Sequence, residues 1–342
     1  MKTKTKIIIR SKTVYLLIIL ALLTGFVSYC QTPTSVKDDQ HQTLSSLKKV
    51  DDFPLFTMHF YGDYGFKNLL KTGIQNTGQS GLKKQAEKIQ WACTCFAGLN
   101  KTSEAIFGRN FDWYDHPALL LFTDPPDGYA AVSMVDISYL GFSKENPPTT
   151  KSKRLLDTPL MPFDGMNECG LVVGMMAVPN ANGGNDSHKK TLSSLHVIRL
   201  MLDYAKNVDE AISLLQNYNV DFQGGPPVHY LIADSSGNSA VIEYIDNEII
   251  VVQDTNLWQV STNFIINNKT LQQAKYSCWR DKKAYETLDE LNGNLTETNA
   301  MQLLKDVSQS NTIWSVVYNL FNLKFNIVMD TKYGATHKFE LK

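Results

Sequence analysis

The sequence carries almost no charge imbalance: 33 Lys and Arg stand against 34 Asp and Glu over 342 residues, a formal net charge of −1. Such a chain, with no basic block in its body, lacks the electrostatic footprint of a nucleic-acid binder. Cysteine is scarce as well. Five Cys in a chain this long cannot staple a disulfide-built miniprotein. Cys93-Thr-Cys95 has no second Cys or His cluster nearby, so it is a weak zinc signal. There is no internal repeat and no low-complexity tract. What is abundant is apolar material. At 43% hydrophobic and 20% charged residues the chain is not mainly disordered, and its length allows one large domain or two ordinary ones.

Residues 1–30 read as a secretory signal. Lys2, Lys4, Lys6, Arg10 and Lys12 form a basic leader, and Val14 to Val27 supplies an apolar run. That run is shorter than the roughly 20 residues of a membrane span, unless Ile7 to Ile9 joins it. Val27-Ser-Tyr-Cys30 looks like a bacterial lipoprotein cleavage box, although Tyr29 stands where a small residue is expected. The expectation is an exported protein, periplasmic or held at the membrane through a lipidated Cys30. Residues 31–46 read as a polar tether. Residues 47–92 read as an N-terminal segment, or a pro-segment or separate chain after cleavage, whose aromatic stretch, Phe53 to Phe66, packs on the body. Leu82 to Gln90 is an exposed joint or a helix.

From Trp91 onward strand patterns dominate, at Ala105–Arg109, Tyr129–Ile137, Leu171–Val178, Val228–Ala233, Ala240–Tyr244 and Ile249–Val252. Asp234-Ser-Ser-Gly237 marks a hairpin turn, and Asn247 with Glu248 another. Helical periodicity covers Leu192–Tyr204, Asp209–Tyr218 and Thr298–Val307, the last with Thr298 as its cap. Strands return at Trp314–Leu320 and Lys324–Asp330. This order predicts layered α+β sheets.

The chemistry centres on Cys93. Cys93-Thr-Cys-Phe96 opens one strand, and Phe107-Gly-Arg-Asn-Phe-Asp-Trp113 returns on the next, bringing Arg109 and Asp112 towards the thiol. Arg109 and Asp112 differ by an odd number, so pleat alternation alone cannot turn both inward; a bulge or strand end near Asn110 is required. Each residue also has a plainer reading. Cys93 fits a buried small hydrophobe, Arg109 and Asp112 a structural ion pair, Asn263 a turn residue, and Arg280 a surface charge on a helix. Cys95 fits a partner of Cys93 in a disulfide or metal pair, and Cys169 and Cys278 read as buried thiols.

These residues resemble the choloylglycine hydrolases, or linear-amide C–N hydrolases, which include bile salt hydrolases and penicillin V acylases and are related to acid amidases. The resemblance runs from about Trp91 to the C-terminus. Cys93-Thr94 is similar to the nucleophile start, Gly108-Arg-Asn-Phe-Asp-Trp113 to the Arg/Asp strand, and Asp164-Gly-Met-Asn-Glu-Cys-Gly-Leu171 to a turn and strand. His229 to Glu243 resembles the central hairpin, Ser261-Thr-Asn263-Phe the segment with the oxyanion Asn, Trp279-Arg280 a loosely matched distal Arg, and Thr312 to Tyr318 the closing strand.

The resemblance implies a four-layer αββα N-terminal-nucleophile hydrolase sandwich over residues 93–342. It implies hydrolysis of an N-acyl small molecule through an acyl-thioester on Cys93, with no cofactor and no metal. In this reading the Cys93 α-amine, with an ordinary pKa of about 7.7–8.0, takes the thiol proton. Arg109 lowers the thiol pKa, Asp112 fixes the amine, Asn263 donates to the oxyanion, and Arg280 balances charge or orients substrate. A free α-amine requires the Ala92–Cys93 bond to be cut. Bile salt hydrolases carry an Asn near the site where this chain has Gly174-Met-Met-Ala177, so Met175, Met176 and Ala177 are candidate substrate contacts, an apolar wall or simply core. An acyltransferase or a catalytically silent binding protein is the alternative, and homo-oligomerisation is open.

Overall fold

In the computed structural model the described residues are 36–74, 92–100, 104–114, 116–222, 225–267 and 269–342. The expected leader, Cys30, the first part of the tether and the Leu82–Gln90 stretch lie outside them.

The described chain opens with α1 (Val36–Ser45), β1 (Lys48–Lys49), β2 (Leu55–Phe60) and α2 (Phe66–Thr72). An antiparallel pair follows, β3 (Ala92–Gly98) with β4 (Ile106–Asp112). Then come β5 (Ala118–Thr123), β6 (Ala131–Asp136), β7 (Asp164–Asn167) and β8 (Val172–Ala177). A short parallel pair, β9 (Lys190–Ser193) and β10 (Tyr218–Asp221), brackets α3 (Ser194–Tyr204) and α4 (Val208–Leu215). Next are β11 (Val228–Ala233), β12 (Ser239–Ile245), β13 (Glu248–Val252) and β14 (Trp258–Ser261). Three helices, α5 (Leu271–Ser277), α6 (Trp279–Glu290) and α7 (Glu297–Asp306), lead into β15 (Thr312–Asn319), β16 (Lys324–Met329) and β17 (His337–Glu340).

Among the described residues these strands form a nine-stranded sheet, β1-β2-β5-β6-β7-β8-β11-β12-β13, and a six-stranded sheet, β14-β3-β4-β15-β16-β17. The sheets face each other across one core, which joins Cys95, Phe107 and Phe111 of one to Met176 and Leu231 of the other. Helices α6 and α7 cover the outer face of the smaller sheet, setting Ala284, Leu288, Leu303 and Leu304 against Phe96, Ile106 and Val317. Helix α3 packs on β7 and β8 of the larger sheet. The result is the expected four-layer αββα sandwich. Being covered on both sides, β11 and β12 read as nearly unbroken apolar runs rather than alternating ones.

The local differences from sequence expectation have tertiary causes. The second half of the expected tether is helix α1, because Leu44 packs with Phe56 and Met58 and Thr43 Oγ1 accepts from the Tyr61 amide at 3.0 Å. The tips of two expected helices are taken by the β9–β10 pair, so α3 starts at Ser194 and α4 ends at Leu215. The cap of α7 is Thr296 rather than Thr298. Its hydroxyl accepts from the Asn299 amide while the Asn299 side chain accepts from the Thr296 amide, so two otherwise orphaned donors are satisfied together.

The two sheets are packed closely at Gly174. A methyl group there would sit 2.8 Å from Cys95 Sγ and 3.2 Å from the Phe107 ring, below ordinary contact distance for the sulfur. Gly174→Ala should therefore cost about 1–3 kcal/mol by overpacking, read as a lower urea midpoint. Gly334→Ala, which faces open space, serves as the control and should leave the midpoint unchanged.

Candidate active site

The β3–β4 register sets Cys93 opposite Phe111 and Cys95 opposite Arg109. Pleat alternation then points Cys93, Cys95, Arg109 and Phe111 to the same, inner face. Asp112 reaches the region by the strand-end route: β4 terminates at Asp112, and β15 slips register between Thr312 and Trp314 beside it. There the Asp112 carboxylate accepts from Thr312 Oγ1 at 2.6 Å and from Gln309 Nε2 at 2.7 Å.

Two further segments converge on the Cys93 peptide. Strand β14 pairs Ser261 with Cys95, and the chain leaving it carries Asn263 alongside the start of β3. Asn263 Oδ1 accepts from the Cys93 backbone nitrogen at 2.6 Å. Arg280, in the first turn of α6, donates from Nη1 to the Cys93 carbonyl and, at 2.9 Å, to Thr94 Oγ1. Its Nη2 donates to Asn263 Oδ1 at 3.1 Å, and its Nη1 lies 3.9 Å from Asp112 Oδ2. Cys93, Asp112, Asn263 and Arg280, scattered over 188 positions of sequence, thus form one connected group.

Arg109 sits deeper and does not pair with Asp112. Its Nη1 donates to the Phe163 carbonyl at 2.5 Å, and its Nε lies 3.3 Å from Asp164 Oδ2. Asp164 in turn accepts from Tyr318 Oη at 2.6 Å and Trp314 Nε1 at 3.0 Å. The reading of Arg109 and Asp112 as an ion pair is therefore corrected: the guanidinium belongs to Asp164. Asp164 was visible in the sequence only as part of a turn-and-strand motif. An acid directly after the apolar Met161-Pro-Phe163 stretch was the available signal, since a carboxylate buried there needs a cation.

Two role assignments also shift. The Cys93 nitrogen is held by Asn263 rather than by Asp112. The Asn263 NH2 group, expected to face an oxyanion, donates to the Ala177 carbonyl at 2.8 Å. The reason is elementary: with Ala92 attached, the Cys93 nitrogen is a donor, so Asn263 turns its oxygen to it. The candidate substrate wall divides. Met176 shares the inner face with Gly174, whereas Met175 lies opposite Tyr230 on the other face, where Tyr230 Oη donates to the Ser194 carbonyl at the start of α3. Met175 is helix-side core. Cys93, Cys95, Cys169 and Cys278 are free thiols. Among the described residues no group of three His, Cys, Asp or Glu side chains could hold a metal ion.

Burial governs the electrostatics. Cys93 is only 1% exposed, and burial pushes its thiol above the ordinary cysteine value. Arg109 pulls it down, as does Arg280 to a lesser degree, but the Asp112 charge opposes them and burial wins. Burial likewise raises the Asp112 carboxyl despite donors from Thr312 and Gln309. Burial pulls the Arg109 guanidinium down, yet Asp164 leaves it above its ordinary value, so the cation persists. It follows that Cys93 in the uncut chain is a neutral thiol at neutral pH. Its alkylation by iodoacetamide, followed by peptide mass mapping, should keep accelerating above the pKa of about 8.5 of a free thiol. A plateau reached below pH 8 would contradict this.

Comparison with known proteins agrees with the geometry. The sequence model described as acyl-coenzyme A:6-aminopenicillanic acid acyl-transferase matches residues 157–333, just over half of the chain. A penicillin V acylase from Pectobacterium atrosepticum is 27% identical over 192 residues, covering 51% of this chain and 50% of that protein. The uncharacterized protein A284L of Paramecium bursaria Chlorella virus 1 is 35% identical over 100 residues, 27% of this chain and 36% of that protein. The chain thus spans half or less of the curated relatives it matches. Two solved structures share the fold. A penicillin V acylase from Agrobacterium tumefaciens superposes with a TM-score of 0.51 at 16% identity, covering 73% of this chain and 92% of its own. A conjugated bile acid hydrolase from Clostridium perfringens gives 0.51 at 15%, with the same coverage. With its two-sheet sandwich and the match across its C-terminal half, the chain belongs to the acyl-coenzyme A:6-aminopenicillanic acid acyl-transferase family, among the choloylglycine hydrolase and penicillin V acylase group.

Proposed function

We propose that this protein is an exported amidohydrolase that cleaves the linear amide bond of an N-acyl small molecule through an acyl-thioester on Cys93. The observation that carries the reading is the capture of the Cys93 backbone on both sides, its nitrogen by Asn263 and its carbonyl by Arg280. A nucleophile whose own amine is the base needs that nitrogen fixed, and Asn263 Oδ1 offers an acceptor as suited to an amine as to an amide.

Maturation and turnover use the same chemistry. In maturation the Cys93 sulfur attacks the Ala92 carbonyl carbon, the C–N bond breaks, and the freed nitrogen takes the thiol proton. Water then hydrolyses the Ala92 thioester, returning the thiol and leaving a carboxylate. In turnover the α-amine accepts the thiol proton, sulfur attacks the substrate carbonyl, and the proton passes to the departing amine. Water releases the acid. The segment before Ala92 is suited to remain attached. Strand β2 pairs with β5, Tyr64 Oη donates to Asp203 at 2.6 Å, and Asp51 lies 2.7 Å from His337 Nε2.

A second reading is acyl transfer to an amine acceptor, favoured by the name that the matching family model carries. Release of amine from a panel of N-acyl amides, with and without added acceptor, separates the two. Hydrolysis should proceed without acceptor; strict dependence on it would establish transfer.

Intact mass of the purified protein should show a fragment beginning at Cys93. Cys93→Ala should remain full length and lose hydrolysis, whereas Cys95→Ala should keep most activity. Active enzyme wholly uncut at Ala92–Cys93 would defeat the α-amine mechanism. For export, N-terminal sequencing should find the leader removed, and palmitate labelling that disappears in Cys30→Ser would establish the lipid anchor. A mature chain starting downstream of Cys30 would exclude the anchor alone.

A further inference from the structure

Among the described residues the loop that delivers Asn263 pairs with no strand, yet three of its backbone groups end on one buried pair of side chains. His229 on β11 and Glu243 on β12 are neighbours across adjacent strands, one step beyond the Tyr230–Ile242 register pair. Both are fully buried, with His229 Nδ1 3.3 Å from Glu243 Oε1. His229 shares the inner face with Met176, opposite which it pairs on β8. From there its Nε2 reaches the Thr262 carbonyl at 2.6 Å and Ser261 Oγ at 3.2 Å. A carbonyl only accepts, so Nε2 carries the hydrogen and the ring orientation is fixed. The Glu243 carboxylate accepts from the Ile266 amide at 2.6 Å through Oε1 and from the Asn267 amide at 2.9 Å through Oε2. Burial pushes the Glu243 carboxyl up, but these donors and His229 leave it below its ordinary value.

We propose that His229 and Glu243 are positioning residues for the reaction of Cys93, acting through Asn263. The pair grips the loop one residue before Asn263 and again three and four residues after it, so a two-sided clamp anchored in the nine-stranded sheet holds a side chain that must meet the six-stranded one. A carboxylate with both oxygens on backbone amides makes strong, directional bonds, and a loop held at both ends has little room to shift Asn263. Neither residue touches the Cys93 nitrogen or the Arg280 guanidinium, whose partners are Asn263, Thr94, Asp112 and Cys93 itself. The kinetic part of this inference rests on the amidase reading; the structural part does not.

Two variants and two readouts test it. Glu243→Gln keeps the shape but turns an NH2 group towards a backbone N–H. The double variant His229→Met with Glu243→Leu removes the pair at similar volume; it leaves no lone buried charge in the sheet and should fold, with the Ile266 and Asn267 amides and the Thr262 carbonyl released to find water. In both, kcat for amide hydrolysis should fall about tenfold or more while KM stays within about threefold, since a misplaced group near the nucleophile costs rate more than binding. Hydrogen exchange on the same proteins should quicken about tenfold at the Ile266 and Asn267 amides and stay unchanged along β11 and β12. Unchanged kcat in the double variant overturns the proposal. So does faster exchange spread across both strands, which would mark a loosened sheet rather than a released loop. If the unmodified protein hydrolyses no amide, the amidase reading fails, and the exchange result alone decides whether the clamp exists.

Discussion

The peptide unit of Cys93 is the point on which the site depends. Its N–H is spent on Asn263 and its C=O on Arg280, so neither can serve as an ordinary rung of the β14–β3 ladder at that end of the strand. Three parts of the chain, β3, the segment after β14 and the first turn of α6, are thereby tied at a single residue. Backbone polar groups removed from water must find partners, and here the partners are the side chains of Asn263 and Arg280. The buried cations follow from the same rule. Arg109 is tolerable only beside Asp164, and Asp164 only with Tyr318 and Trp314 donating to it.

The two-sheet architecture makes this convergence possible. A small residue lets the sheets approach, Gly174 against Cys95, while Gly108 makes room for the Phe96 ring on the helix side of the smaller sheet. Large aromatics fill the remainder, with Phe111, Phe163 and Trp314 packed around the Arg109 end of the site. The thiol is therefore set in a dry, rigid place, which explains why burial outweighs two nearby guanidinium groups in fixing its protonation.

Much of this was legible in the sequence because short-range patterns coincided with long-range need. Strand β11 was bounded at Val228 and Ala233, and the hairpin turn after it was marked by Asp234 and Gly237. The Cys93, Arg109 and Asp112 spacing pointed to one hairpin, and the expected strand end supplied the parity change. What stayed hidden was decided by partners far away in sequence. Nothing local at Arg109 names Asp164, and nothing local at Asn263 says which of its amide atoms will face Cys93. The parallel pairing of Lys190–Ser193 with Tyr218–Asp221 erased helical turns that periodicity favoured. Met175 and Met176 are indistinguishable as letters, yet pleat alternation sends them to opposite sides of a sheet.

One topological detail reaches beyond the chemistry. Strand β2 lies parallel to β5 in the nine-stranded sheet, while β3 and β4, between them in sequence, belong to the six-stranded one. The chain must therefore pass from one sheet to the other and back, and the Ala92–Cys93 bond is the first step of β3, where the smaller sheet is entered. Breaking it severs only the first residue of β3, Ala92 opposite Asp112, from its strand, so the folded molecule barely registers the change. The denatured one does. With the link gone, regaining the sheet becomes a meeting of two molecules, and its rate falls with dilution instead of being fixed by the chain. A cut protein of this design would be durable through the slowness of its unfolding, having given up the means to reassemble at low concentration.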